Sequence, residues 1–311
     1  MHLVLPFAAP DVPAAREALG TRTLSHLTRL LARCAPAVQA GDELSLNTPH
    51  ERALAQVLGW QAADGLLPVA ARAARLDGLT VEPGSGWGLL SPAHWHVGTE
   101  QVSLTAPEDL SLSDDEAQAF FDALRPLFEE LGWSLQWGAP LRWYLRHESL
   151  AELPSASLDR VVGRNVDLWL NMAPQARAFR RLQAEVQMLL HAHPLNDSRQ
   201  EQGLPAMNSV WLSGTGAVQA DRAAPPTVDD RLRLPALRGD WTAWCEAWQA
   251  LDAGPLAEAA HRAERGEAVQ VWLCGERGSL LLDSRAPQRR PWWRRWWPAA
   301  APVAEQWMAP L

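Results

Sequence analysis

A helix that must stop at Pro194, followed within a few residues by a strand ending in Gly214-Thr215-Gly216, constrains this chain more than any other feature. Proline cannot continue a helix, and the residue before it is pushed towards extended backbone. Helix, polar turn and strand in immediate succession point to a layered α/β arrangement, with polar groups gathered at one strand end. The expectation is a pocket for an anionic small molecule. Asn196 would cap a short helix beginning at Asp197, leaving its free amides aimed at the ligand. Arg199, one turn in, would offer a guanidinium fork. His193 orders the turn, while Asn208, Gly214, Thr215 and Gly216 close the pocket at the strand's carboxyl end. The competing reading is that Asn196 and Asn208 only satisfy local backbone groups.

The rest of the chain interleaves the same two periodicities. Residues 2–7 read as a buried strand, and Leu24, Leu27, Leu30, Leu31 and Cys34 recur at helical spacing. Thr48-Pro49-His50-Glu51 and Ser113-Asp114-Asp115-Glu116 are capping boxes, so helices should begin at both and run to about Gly59 and Gly132. Residues 88–105 alternate as one or two strands, 133–137 and 141–147 form a hairpin, and Pro174 opens a long helix. The segment 217–235, with Pro225-Pro226 and Asp229-Asp230, reads as a linker. The fold class predicted is α/β, a layered mixed sheet with flanking helices. Its expected division is a main domain over 1–217 carrying the pocket, a linker over 218–235, and helices, a hairpin and a tail over 236–311.

Composition removes several chemistries. The 311 residues contain no lysine, so a Schiff-base lysine, a Walker-A lysine and a lysine general base are all excluded. Arginine forks are the permanent cations, and these favour bidentate contacts with phosphate or carboxylate. The net charge of −8 argues against general nucleic-acid binding. Three isolated cysteines, Cys34, Cys245 and Cys274, read as core residues of a protein in the reducing cytoplasm. No Gly-x-Ser-x-Gly element is present.

Three further clusters bear on function. His94-Trp95-His96 and His191-Ala192-His193 could together hold a divalent metal if the four imidazoles met; no cofactor is otherwise expected. Arg142 and Tyr144 share one face of a strand with Arg146 and could grip an acidic ligand, although a solvated outer face is the plainer reading. Arg289, Arg290, Trp292, Trp293, Arg294, Arg295, Trp296 and Trp297 have the composition of a membrane-surface or partner-binding segment. The reading preferred for this tail lays its indoles on the body of the protein and leaves its arginines wet.

Residues 87–216 resemble a family of uncharacterised bacterial proteins related to RpfE-type regulatory proteins. The resemblance is carried by Arg142-Trp143-Tyr144, residues 163–169, Glu185-Val186-Gln187-Met188-Leu189-Leu190, His193-Pro194-Leu195-Asn196 and residues 208–214. The same His-Pro-x-Asn to Gly-x-Gly segment is similar to one in archaeal-type cofactor-independent phosphoglycerate mutases of the alkaline phosphatase superfamily. That likeness implies a degenerate alkaline-phosphatase-like core. It also implies two divalent metals, held partly by an Asp just after the first strand, by an Asp-His pair and by an Asp-x-x-x-His pair. Neither pair occurs in this chain, and no acid follows a first strand ending at Leu5-Pro6-Phe7. The expectation is therefore a cytoplasmic regulatory or accessory protein that binds an anionic metabolite or a protein partner. The alternatives are a metal-dependent phosphotransferase or phosphatase, and a peripheral membrane or scaffold protein.

Overall fold

The computed structural model describes residues 1–286 together with 307, 308 and 311. In chain order the first elements are β1 (His2–Ala9), α1 (Pro13–Gly20), α2 (Ser25–Arg33), β2 (Ala35–Gln39) and α3 (Pro49–Leu58). Next come α4 (Val69–Leu76), β3 (Gly86–Ala93), β4 (Trp95–Val97), β5 (Val102–Leu104), α5 (Asp114–Glu130), β6 (Ser134–Ala139) and β7 (Arg142–Arg146). They are followed by α6 (Leu158–Val161), α7 (Arg177–His191), α8 (Pro194–Glu201) and β8 (Ser209–Ala217). The described elements close with β9 (Thr227–Val228), α9 (Arg233–Leu237), α10 (Trp241–Leu251), α11 (Ala257–Glu264), β10 (Gln270–Gly275) and β11 (Ser279–Asp283).

These elements fall into two compact units, one made of residues 1–59 and 221–311 and the other of residues 60–220. The outer unit is a mixed sheet in the order β2-β11-β10-β1-β9, with β1 parallel to both β10 and β9. Alternation along β1 sends Leu3 and Leu5 to one core and Val4 to another, and β10 does the same with Val271 and Leu273 against Trp272. The larger core is completed by Leu27 and Leu30 of α2 and by Trp244 and Trp248 of α10, the smaller by Ala53 of α3. Burial on both faces is why β1 reads as a continuous apolar run. Cys34, Cys245 and Cys274 are free and buried, as expected, and burial pushes the Cys34 thiol up to about 11.

This grouping corrects the expected division of the chain. The expected domain ending at residue 217 includes the opening strand, whereas β1 hydrogen-bonds β9 and β10 of the C-terminal segment. The presumed linker also carries structure, because Thr227 and Val228 extend the sheet and α9 follows. The crossings into and out of the 60–220 unit run side by side. Gln61 N donates to Gln219 Oε1 at 3.0 Å, and Gln219 Nε2 donates back to Gln61 O at 3.1 Å.

The inserted unit is built on an antiparallel sheet in the order β6-β7-β3-β8. One face carries Leu90, Trp143, Leu145 and Leu212 beneath Phe120, Leu124 and Phe128 of α5 and Leu182 and Val186 of α7. The other face carries Trp87 and Tyr144 beneath the alanines of α4. Both predicted capping boxes are present, Thr48 with Glu51 and Ser113 with Glu116. The region 88–105 holds three strands rather than one or two, with β4 and β5 forming a separate ribbon. No helix among the described residues is long and apolar enough to cross a membrane.

Candidate functional site

The turn after α7 is closed upon itself and does not form the expected pocket. His193, not Asn196, is the N-cap of α8, with Pro194 at its first position; His193 Nδ1 accepts from Leu195 N at 3.3 Å. Asn196 is buried inside that helix. Its amide nitrogen donates to Leu190 O and Met207 O, each at 2.8 Å, and its oxygen accepts from Met207 N at 2.9 Å. It therefore sews the end of α7 to the approach of β8. Arg199 is wholly buried, with Nη1 2.8 Å from Glu116 Oε1, Nε 3.0 Å from Pro205 O, and Nη2 on Leu110 O.

The strand end is equally occupied. Asn208 makes a reciprocal pair with the backbone of Trp95, at 2.7 Å and 3.0 Å. Thr215 is buried, its Oγ1 2.5 Å from Leu153 O and 2.8 Å from Ser155 Oγ. Gly214 and Gly216 adopt φ of 61° and 149°, and a Cβ on Gly216 would stand 2.3 Å from Leu66 O. These glycines admit neighbouring backbone, not a ligand. The competing reading, local backbone satisfaction, holds for both Asn196 and Asn208.

Arg142 and Arg146 are exposed, as the solvated-face reading expects, whereas Tyr144 is buried; Arg142 and Tyr144 converge on a carboxylate of their own unit. Arg142 forks onto Asp77 through Nε at 3.1 Å and Nη2 at 2.9 Å, and the Tyr144 hydroxyl donates to Asp77 Oδ2 at 2.6 Å. The fork from Arg142 holds the Asp77 carboxyl below the usual carboxylate range, with the tyrosine hydroxyl adding to the effect against desolvation. Burial, then the neighbouring carboxylate, push the Tyr144 phenol up.

The four histidines are not assembled into a metal site. His94 Nδ1 lies 2.8 Å from Ala206 O, and its ring is 6.3 Å from that of His96, centroid to centroid. His191 is exposed, and His193 packs 4.9 Å from Phe120, where burial lowers its pKa. Among the described residues no three His, Cys, Asp or Glu side chains are grouped to hold a metal ion. The Arg289–Trp297 segment lies outside the described residues.

Charged groups do converge on open space at the carboxyl ends of the parallel strands of the outer unit. Sequence reasoning missed this place because it ended β1 at Phe7. The strand is disturbed there: Phe7 has φ of 56°, its carbonyl accepts from Trp244 Nε1 at 3.0 Å, and the pairing with β10 shifts register between Leu5 and Ala9. The strand nevertheless continues to Ala9, so an acid, Asp11, does follow it. This overturns the expectation that no acid stands at that point.

Ala9, Pro10, Asp11, Arg16, Gly41 and Arg277 surround a cleft of about 240 Å³. Arg16 comes from the first turn of α1 and Arg277 from the turn joining β10 to β11. That turn is fixed by its backbone. Arg277 N and Gly278 N donate to Leu311 O at 2.7 Å and 2.8 Å, and Arg277 O accepts from Arg52 Nη2 at 2.7 Å. Arg16 Nη2 donates to one oxygen of Asp11 and Arg277 Nη2 to the other. Arg16 Nε is buried without a hydrogen-bond partner among the described residues. Hydrogen bonding to Asp11 raises the Arg277 pKa further. The three side chains remain between about a third and a half exposed, so solvent and solutes reach them.

Two guanidiniums converge here on one carboxylate, with Glu43 and Glu276 also acting on Arg277, and such forks suit bidentate contact with an anion. The same set fits a two-metal centre poorly. Both Asp11 oxygens already face arginines, whose charge opposes a cation, and a metal pair needs several more anionic or imidazole ligands.

No protein-family model matches the chain, and no curated protein matches it. The RpfE-type resemblance therefore rests on its motifs alone. Among solved structures, the chain is similar to the cofactor-independent phosphoglycerate mutase from Thermoplasma acidophilum DSM 1728, at 11% identity and a TM-score of 0.37, over 91% of this chain and 89% of that one. It is also similar to the PH0037 protein from Pyrococcus horikoshii, at 10% identity and a TM-score of 0.48, over 91% of this chain and 87% of that one. Likeness at this level assigns no activity.

Proposed function

We propose that this protein binds a small phosphorylated or carboxylated anion in the cleft of Asp11, Arg16 and Arg277, and acts as a regulatory or accessory factor. The observation that carries the reading is the convergence of two guanidiniums on one carboxylate at the carboxyl edge of parallel strands. That edge is where ligands of open α/β sheets collect. Asp11 serves there as an internal anion, keeping the arginines apart and oriented until a more highly charged ligand competes for them. The ligand then meets donors already in place, which lowers the ordering cost of binding. Free, buried cysteines suit a cytoplasmic setting.

A metal-dependent phosphotransferase is the second reading, favoured by one observation: Asp11 follows the first strand, where the phosphoglycerate mutase resemblance implies a metal-holding acid. The arginines on both its oxygens favour the anion receptor instead. Calorimetric titration of the whole chain with inorganic phosphate tests the proposal. Saturable binding weakened at least about tenfold in Arg277→Ala is expected, since a charge-assisted contact contributes about 1.5–3 kcal/mol. Equal affinity in the variant overturns it.

A further inference from the structure

A second cavity lies wholly within the inserted unit, and nothing in the motifs of the sequence marks it. Leu153, Trp169, Phe179, Trp211 and Leu212 give it apolar walls, and its volume is about 40 Å³. That is several times what one water requires, and well below a cavity that takes a benzene ring. Its polar groups are few and specific. Gln183, buried, donates through Nε2 to Val210 O at 2.8 Å, which leaves its side-chain oxygen for another partner. Trp169 is 6% exposed, and its indole Nε1 has no hydrogen-bond partner among the described residues.

The half-buried rim carries Arg180. Its Nη1 donates to Asn171 O at 2.6 Å and to Ala173 O at 3.1 Å, so two carbonyls hold the guanidinium in place. No acid pairs with it among the described residues. Elsewhere in the same unit, Arg142, Arg181 and Arg199 each have a carboxylate partner. A positioned cation beside an apolar slot selects for a molecule with a carboxylate at one end and a short hydrocarbon at the other.

We infer that this slot binds a short-chain carboxylate. The carboxylate lies on Arg180, and a short hydrocarbon tail lies between Trp169, Phe179 and Trp211. This site is separate from the Asp11 cleft, and its ligand is chosen by shape as well as charge.

The test is calorimetric titration of the whole chain with isobutyrate, isobutanol, acetate and octanoate. Isobutyrate is expected to bind at least about tenfold tighter than each of the others, because only it supplies both the charge and a tail of the right size. Arg180→Gln is expected to remove that preference, while Arg277→Ala leaves it intact. Isobutanol binding as tightly as isobutyrate overturns the proposal, as does loss of isobutyrate binding in Arg277→Ala rather than in Arg180→Gln. The ligand series alone decides the matter if Arg180→Gln does not fold.

Discussion

Glu116 Oε1 lies 2.8 Å from Arg199 Nη1, so the capping box that starts α5 also neutralises a guanidinium buried 83 positions later in α8. Arg199 further binds the carbonyls of Pro205 and Leu110, which places one residue at the meeting of three segments. Removing one partner of such a pair strands the other without compensation. Arg199→Leu should lower stability by about 3–5 kcal/mol in urea denaturation. The same variant should leave phosphate affinity unchanged, because Arg199 is used internally.

Acid should weaken the fold through Asp77 and Glu116. Asp77 binds its proton less readily when folded, chiefly because of Arg142 and then Tyr144. Burial works against the ionised form of Glu116, but hydrogen bonds from Ser113 and Arg199 outweigh it and lower its pKa too. Both carboxylates contribute fully above the ordinary unfolded values of about 3.9–4.3, and that contribution is lost as pH falls through the lower folded values. Thermal melts across this range should show a falling Tm in the parent protein and a shallower fall in Asp77→Asn. Tyr144→Phe should cost about 1 kcal/mol at neutral pH.

Gly216→Ala should be among the most damaging small substitutions. The residue sits at φ of 149°, and a Cβ would stand 2.3 Å from Leu66 O. A loss of about 3 kcal/mol is expected from strain and crowding together, read by chemical denaturation. Loss of ligand binding with stability unchanged would instead restore the Gly-x-Gly segment as a binding loop.

The start of α2 is capped from a distance. Its own N-cap position, Leu24, offers no side-chain acceptor, and the carboxylate of Asp252 takes Leu27 N at 2.8 Å and His26 N at 3.1 Å. Asp252→Ala should cost about 1–2 kcal/mol, the range of a lost helix cap. Equilibrium denaturation measures it, and Asp252→Asn should recover part of the loss.

Local signals were legible in the sequence because their causes are local. The two capping boxes, the stop at Pro194 and the hairpins around Gly138 and Gly275 all involve residues within a few positions of each other. The sites were not legible, because long-range partners decide them. Asn196 and Arg199 carry the right groups for an anion, but Met207 and Glu116 already occupy those groups. The pairing of His2 with Gln270, which moves β1 out of the predicted main domain, leaves no trace in either segment. Asp11 is not legible as a site residue because the irregularity at Phe7 hides two further residues of strand.

The most direct test of the central claim is phosphate and manganese titration of Asp11→Asn beside the parent protein. The anion-receptor account predicts phosphate binding that is at least as tight, because the variant removes the carboxylate that competes for Arg16 and Arg277, and no change in manganese binding. Loss of tightly bound manganese in Asp11→Asn would contradict the account and make Asp11 a metal ligand, and loss of phosphate affinity would contradict the claim that its carboxylate competes with the ligand.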